Sequence, residues 1–270
     1  MNVYERFHVQ TCGRGSQAML FAHGYGCDQS MWRLVAPAFE PHYRVTLFDL
    51  AGCGSADPCA YDRARHASLH GYAQDVLDIV RELDLRRVIF VGHSVSAVIG
   101  ALAAIARPDR FAQLIMVAPS PCYVNDGDYV GGFSQADIAG LIDALDSNYL
   151  GWASTMAETI MATPERPELA GELRDSFCRM RPDIARAFAR LTFLADNRAD
   201  LPRVATPSLV LQVEDDVIAP TSVGHYVQAH MPDAELALLP TRGHCPHLSA
   251  PELTIDAMRA YLAHRAGRDG

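Results

Sequence analysis

Three residues far apart in the chain have the types, order and surroundings of an acyl-transfer apparatus: Ser94, Asp216 and His244. Ser94 lies in Gly92-His93-Ser94-Val95-Ser96, a G-x-S-x-G-like string whose second glycine is replaced by another small residue. The apolar run Val88–Val91 leads into it, and the small-residue run Val95–Ala106 leads away. On such a strand-to-helix turn the serine hydroxyl is lifted above the sheet edge. The N-terminus of the following helix then points free N–H groups at developing negative charge. A serine hydroxyl alone is a weak nucleophile; it needs a base, and the base needs an acid to orient it. Asp216 follows the run Ser208–Val213, and His244 follows Ala234–Leu239. Each therefore sits just past its own strand, in the chain order Ser, Asp, His that this kind of site requires.

Each choice has a local rival. Glu214 and Asp215 flank Asp216 and are expected to shape the turn and face solvent. His244-Cys245-Pro246-His247 offers two imidazoles and a thiol, but no further ligand cluster accompanies them, so no metal is expected. His247 reads as a supporting or helix-entry residue, Cys245 as structural, and His93 as a packing residue that donates locally. Acyl transfer also needs two oxyanion donors. The N–H of Val95, directly after the nucleophile, is one candidate. The N–H of Tyr25, in His23-Gly24-Tyr25-Gly26 after the run Met19–Ala22, is the other. The Asp49–Ser55 stretch, DLAGCGS, lacks the third glycine of a dinucleotide fingerprint and reads as a structural turn.

The elements that must carry these residues alternate. Strand-like runs occur at Met19–Ala22, Arg44–Asp49, Val88–Val91 and Leu114–Val117, with helical periodicity over Ser68–Leu83 and Val95–Ala106. Continuous apolar strands alternating with helices predict a parallel sheet covered on both faces. From Ser120 to about Asp200 the helical period takes over. Four helices are predicted, at Gln135–Tyr149, Gly151–Met161, Pro167–Arg179 and Pro182–Asp196. Strands return at Ser208–Val213 and Ala234–Leu239, with helices near Thr221–His230 and Glu252–Arg265. The predicted organisation is an α/β core in two parts, 1–120 and 201–270, interrupted by a helical lid at 121–200. That insertion leaves from the strand ends where open α/β sheets hold ligands.

Composition narrows the alternatives. The chain has 270 residues, 49% of them hydrophobic, enough for one large core. Net charge is −9, and all 23 basic residues are arginine. Without lysine there is no Walker A loop, no Schiff base to pyridoxal phosphate and no kinase strand lysine. The acidic balance argues against nucleic acid as a partner. The seven cysteines are widely spaced, with no C-x-x-C pair, which suits reduced thiols in a cytoplasmic protein. No signal peptide is visible, and no apolar run approaches the ~20 residues of a membrane span. No cofactor is expected.

HGYGCDQSMW (His23–Trp32), GHSVSA (Gly92–Ala97), SPCYVNDGDYVGGF (Ser120–Phe133), NYLGWA (Asn148–Ala153) and RGHCPHLSAPE (Arg242–Glu252) together resemble the RsbQ family of α/β-hydrolases. That group includes a bacterial stress-response regulator and the plant karrikin and strigolactone receptors. The resemblance covers nearly the whole chain. It implies an α/β-hydrolase fold with a four-helix, V-shaped lid, Ser94, Asp216 and His244 as the triad, and Tyr25 and Val95 as the oxyanion hole. Tyr25 stands where the family usually has Phe, which adds a hydroxyl at the pocket mouth. Tyr123, Phe133, Leu141, Trp152, Met156 and Phe193 match family pocket positions and, together with Tyr25 and Ile218, would line an apolar cavity over Ser94. The expected ligand is a small, neutral, hydrophobic ester or lactone. The resemblance also implies a link to stress signalling, with a PAS-domain phosphatase or another signalling protein as partner.

Overall fold

Strands that are apolar on both faces must be covered on both faces, and the computed structural model, which describes residues 1–267, shows how. Seven strands form one sheet: β1 (Gln10–Cys12), β2 (Gln17–Ala22), β3 (Tyr43–Phe48), β4 (Val88–His93), β5 (Phe111–Val117), β6 (Ser208–Asp215) and β7 (Ala234–Arg242). Their order is β1-β3-β2-β4-β5-β6-β7. β1 pairs antiparallel with β3, and the other pairs are parallel. Ten α-helices accompany them among the described residues: α1 (Val3–Arg6), α2 (Leu69–Glu82), α3 (Val95–Ala106), α4 (Gln135–Ser147), α5 (Tyr149–Met161), α6 (Pro167–Arg179), α7 (Pro182–Phe193), α8 (Thr221–His230), α9 (Pro246–Ser249) and α10 (Pro251–Ala266).

Alternate residues of each central strand enter different cores. Phe90, Leu114, Met116 and Val210 pack with α2 and α3 on one face. Ile89, Val91, Ile115, Val117, Leu209 and Leu211 face the other way, onto Trp32, Phe39 and the α10 residues Met258 and Tyr261. The first core continues without a break into the helices α4–α7, through Trp152, Phe177, Phe188 and Phe193. Those four helices lie between β5 and β6, in the segment where the period changes from strand to helix. None of the helices among the described residues is long and apolar enough to cross a membrane.

Differences from the sequence reading have local causes. β1 is exposed along its whole length, so it carries no apolar alternation and was not anticipated. α1 and α9 are single turns of four residues, shorter than a detectable period. The boundary between α4 and α5 falls at Asn148 rather than after Tyr149. Asn148 takes φ −147° and its side chain accepts the Gly151 N–H at 3.1 Å, so it starts the next helix. Beyond Pro182, the helix stops at Phe193, three residues before the expected end.

At the centre of the sheet, β4 is buried along its full length and delivers the chain to Ser94. There the backbone turns into α3 with φ 55° and ψ −122°, a conformation costly for any residue with a Cβ, by about 1–3 kcal/mol. Gly92 makes the turn possible: a Cβ there would lie 2.5 Å from the Ser96 carbonyl oxygen and 2.7 Å from the Ala97 nitrogen. Gly92→Ala should therefore distort the turn itself. The expected result is a stability loss of about 2 kcal/mol in urea unfolding, as for other overpacked sites, and a fall of more than tenfold in any activity that depends on Ser94.

Candidate active site

The elbow is stitched to its neighbours through residues on both sides of Ser94. The Ser94 N–H donates to the Val117 carbonyl at the end of β5, 2.8 Å away. The Ser96 hydroxyl donates to the carbonyl of His23. His93, through Nε2–H, donates to the carbonyl of His244 at 2.8 Å. Three separate loops are thus referred to the one strained turn.

Asp216, His244 and Ser94 form a continuous hydrogen-bonded chain. Asp216 is buried, whereas Glu214 and Asp215 face solvent. One carboxylate oxygen accepts the backbone N–H groups of Ile218 (2.9 Å) and Ala219 (3.2 Å); the other accepts Nδ1–H of His244 at 2.7 Å. That bond leaves Nε2 of His244 as the acceptor for the Ser94 hydroxyl, 2.8 Å away. The tyrosine Tyr123 approaches Ser94 Oγ at 3.3 Å. Because the serine proton is directed at His244, the phenol is the donor in this contact. Burial pushes the Tyr123 hydroxyl up to about 12, so it keeps its proton.

The loop after β2 passes close beside the serine. A Cβ on Gly24 would lie 3.5 Å from Ser94 Cβ and 2.5 Å from Nδ1 of His93. The orientation of this loop is set by His23, whose role sequence reasoning missed. Its Nε2 accepts the Leu50 N–H at 3.0 Å, so Nδ1 carries the proton and donates to the Gly24 carbonyl at 2.8 Å. Burial lowers its pKa against the raising effect of Asp49, which preserves that neutral tautomer. Nor did sequence reasoning see a role for Ser96 beyond its small size. Two polar residues spaced to reach each other's loops leave no periodic signal. The Asp49 turn is structural: its carboxylate accepts the N–H groups of Gln29 and Ser55, each at 2.8 Å.

The base loop is fastened to the helical insertion. The N–H of His244 donates to the carbonyl of Ile160 at 2.7 Å, near the end of α5. Gly243 has φ 83°, and a Cβ there would lie 2.2 Å from the Met161 carbonyl oxygen. Between Ser94 and the helical insertion lies a cavity of about 30 Å³, the space of a single water. Of the sequence-predicted pocket residues, Tyr25, Tyr123, Phe193 and Ile218 line it. Trp152 is one layer back, edge-on to the Tyr25 ring at 6.1 Å. Met156 is buried in α5, while Leu141 and Phe133 are partly exposed and lie outside the cavity wall. Beside Ser94, His93, His244 and Cys245, the lining also takes in Cys27, Ile160, Leu173, Phe177 and Thr192. They were not singled out, because an inward apolar position on a helix looks the same whether it meets a cavity or a core.

One group among the described residues could reach a common metal ion: His93, Cys245 and His247, whose ligand atoms lie within 4.8 Å of one another. His244, the ligand weighed from the sequence, is instead held between Asp216 and Ser94. His247 lies against the Trp32 ring with centroids 4.6 Å apart. The Nδ1 atoms of His93 and His247 have no hydrogen-bond partner. All seven cysteines are unpaired, and burial raises the Cys245 thiol.

A buried hydroxyl–imidazole–carboxylate chain at a strand-to-helix elbow, on a mostly parallel sheet with helices on both faces, defines a serine hydrolase. Residues 19–257 match the alpha/beta hydrolase family, and the chain belongs to it. It is 39% identical to a probable esterase of Oryza sativa subsp. japonica, over 98% of each chain. It is 38% identical to a strigolactone esterase of Arabidopsis thaliana, over 97% of this chain and 98% of that one. Among solved structures, a hydrolase from Oleispira antarctica is 39% identical and superposes with a TM-score of 0.94, covering 97% of this chain and 96% of that one.

Burial keeps three imidazoles around the site neutral. His23 and His93 are shifted down by desolvation, and His247 is lowered to about 3. The unfolded chain binds protons at these side chains near pH 6.5 and the native one does not. Native stability is therefore fully present above that pH and falls as pH drops below it. Each histidine contributes about 1.4 kcal/mol per pH unit until its own folded pKa is reached. The urea midpoint should fall markedly between pH 7 and pH 5. His247→Asn should lose about 2 kcal/mol less than the parent over that interval, each referred to its own value at pH 7.

Proposed function

We propose that the protein hydrolyses small, neutral, hydrophobic esters or lactones, with Ser94 as nucleophile, His244 as base and acid, and Asp216 as the group that holds the imidazole. The observation that carries this reading is the unbroken chain from the Asp216 carboxylate through His244 to Ser94 Oγ, with both hydrogen bonds shorter than 2.9 Å. Ser94 Oγ attacks the carbonyl carbon while its proton passes to His244 Nε2. The tetrahedral oxyanion is received by the N–H groups of Val95 and Tyr25. His244 returns the proton to the departing alkoxide, leaving an acyl-serine. Water, deprotonated by the same imidazole, then releases the acid. In a lactone the leaving alcohol stays attached to the acyl chain, and the same steps open the ring.

The cavity wall favours a neutral ligand. No Arg, Asp or Glu lines it; its polar groups are Ser94, His93, His244, Thr192, the thiols of Cys27 and Cys245 and the tyrosine hydroxyls. An anion would shed its hydration there without finding a cationic partner.

A second reading follows from the small size of the cavity, which ties occupancy to movement of the helices above it. In that reading ligand capture is the output and turnover is slow. Relatives described as karrikin insensitive 2 receptors of Petunia hybrida, 38% and 37% identical, support it. On the resemblance noted above, a PAS-domain phosphatase in stress signalling is the partner we propose.

Ser94→Ala should reduce hydrolysis of p-nitrophenyl acetate by about 10⁶-fold in kcat with the melting temperature retained. Near-parental turnover in the purified variant would remove the serine mechanism. Asp216→Asn should cost about 10⁴-fold, while Asp215→Asn, at an exposed position, changes little. Equal losses at the two positions would mean that the wrong carboxylate had been chosen. Across a panel of esters matched in size, the neutral members should have the higher kcat/KM. A preference for carboxylate-bearing members would contradict the apolar reading of the cavity.

A further inference from the structure

We propose that the Tyr25 hydroxyl is a latch that holds the helical insertion closed over Ser94 and thereby restricts the size of the acyl group accepted. The inference rests on the hydrolase reading above for its substrate half only.

Tyr25 belongs to the loop after β2, yet almost everything its side chain touches belongs to the insertion. Its O–H donates to the carbonyl of Ala185 in α7, 3.0 Å away and 160 residues along the chain. Its ring lies 6.1 Å from Trp152 of α5, 5.7 Å from Phe177 of α6 and 5.5 Å from Phe188 of α7. The side chain is buried, and the same residue lines the catalytic cavity. Ala185 sits inside a twelve-residue helix, where its carbonyl already serves the helical ladder. The phenol therefore takes its second lone pair, and losing the phenol leaves no orphaned acceptor behind.

The cavity beneath this contact holds about 30 Å³, less than an acetyl group with its leaving alcohol requires. Any substrate must enlarge it, and Tyr25 is the wall residue whose hydroxyl is tied directly to a lid helix. The longer the acyl chain, the further α7 must withdraw from Tyr25. A group that fits only after the O–H···O bond is broken bears the loss of that bond in its kcat/KM. Short acyl groups bear less of it. One residue thus links the backbone proposed to receive the oxyanion with the helix that decides what enters.

Tyr25→Phe removes the hydroxyl and keeps the ring. In this variant, hydrogen exchange of the α7 peptide (182–193) should accelerate about fivefold, the weight of one net hydrogen bond, with β4 and β5 unchanged. The ratio of kcat/KM for p-nitrophenyl hexanoate over acetate should rise by a similar factor. Tyr129→Phe is the control: it deletes another buried phenol of the inserted segment, bonded to the Cys122 carbonyl at 2.6 Å, and leaves the Tyr25 contact in place. It should not raise the ratio. Unchanged exchange in Tyr25→Phe overturns the latch. Faster exchange with an unchanged ratio overturns its part in acyl selection. An equal rise in Tyr129→Phe reduces the effect to general softening and overturns the assignment to Tyr25. If the parent protein hydrolyses neither ester, the hydrolase reading fails, and the exchange measurement still decides the latch.

Discussion

The structure depends on one unfavourable backbone conformation, the left-handed turn at Ser94. A side chain with a Cβ does not rest at φ 55° unless its surroundings leave it no alternative. Here the alternatives are removed by hydrogen bonds to three different parts of the chain: Val117 at the end of β5, His23 after β2 and His244 after β7. Each tie also fixes something else. The bond to His23 sets the loop that carries Tyr25, and the bond to His244 sets the segment that carries the base. Strain and organisation are two aspects of one arrangement, because the contacts that hold the turn align the groups around it.

The electrostatics of the site follow from burial. Four imidazoles, His23, His93, His244 and His247, crowd around one serine. Positive charge on several of them would be mutually repulsive in a dry interior. Desolvation keeps the three supporting rings neutral, each as an oriented donor, acceptor or packing surface. The carboxylate of Asp216 meets His244 alone among them, at 2.7 Å from Nδ1.

The strands and the elbow were legible in the sequence because central parallel strands are apolar on both faces and end abruptly in small residues. Ser94, Asp216 and His244 were legible through position: each lies just past a strand end, a one-dimensional fact. Asp216 could be separated from Asp215 and Glu214 only in part, since which of three adjacent acids turns inward is decided by the Ile218 and Ala219 N–H groups. His23 and Ser96 were illegible as working residues, because their importance lies in a contact 73 positions apart. The cavity wall was half legible. Helical periodicity marks which side of α4–α7 faces in, but the depth of each side chain depends on how four helices settle against Tyr25. Trp152 accordingly stands behind that ring, and Phe177 stands in the wall.

The joint between the base loop and α5 is made by main-chain atoms: the His244 N–H on the Ile160 carbonyl, with Gly243 pressed against Met161. No side chain at 160 or 161 takes part in that bond. Those two positions can therefore exchange one apolar residue for another without loosening it, whereas Gly243 cannot change at all. The insertion is fastened to the base loop at this edge by main-chain atoms. A lineage carrying this fold can remodel α6 and α7 for new ligands by ordinary substitution, and the geometry of the base travels through that drift intact.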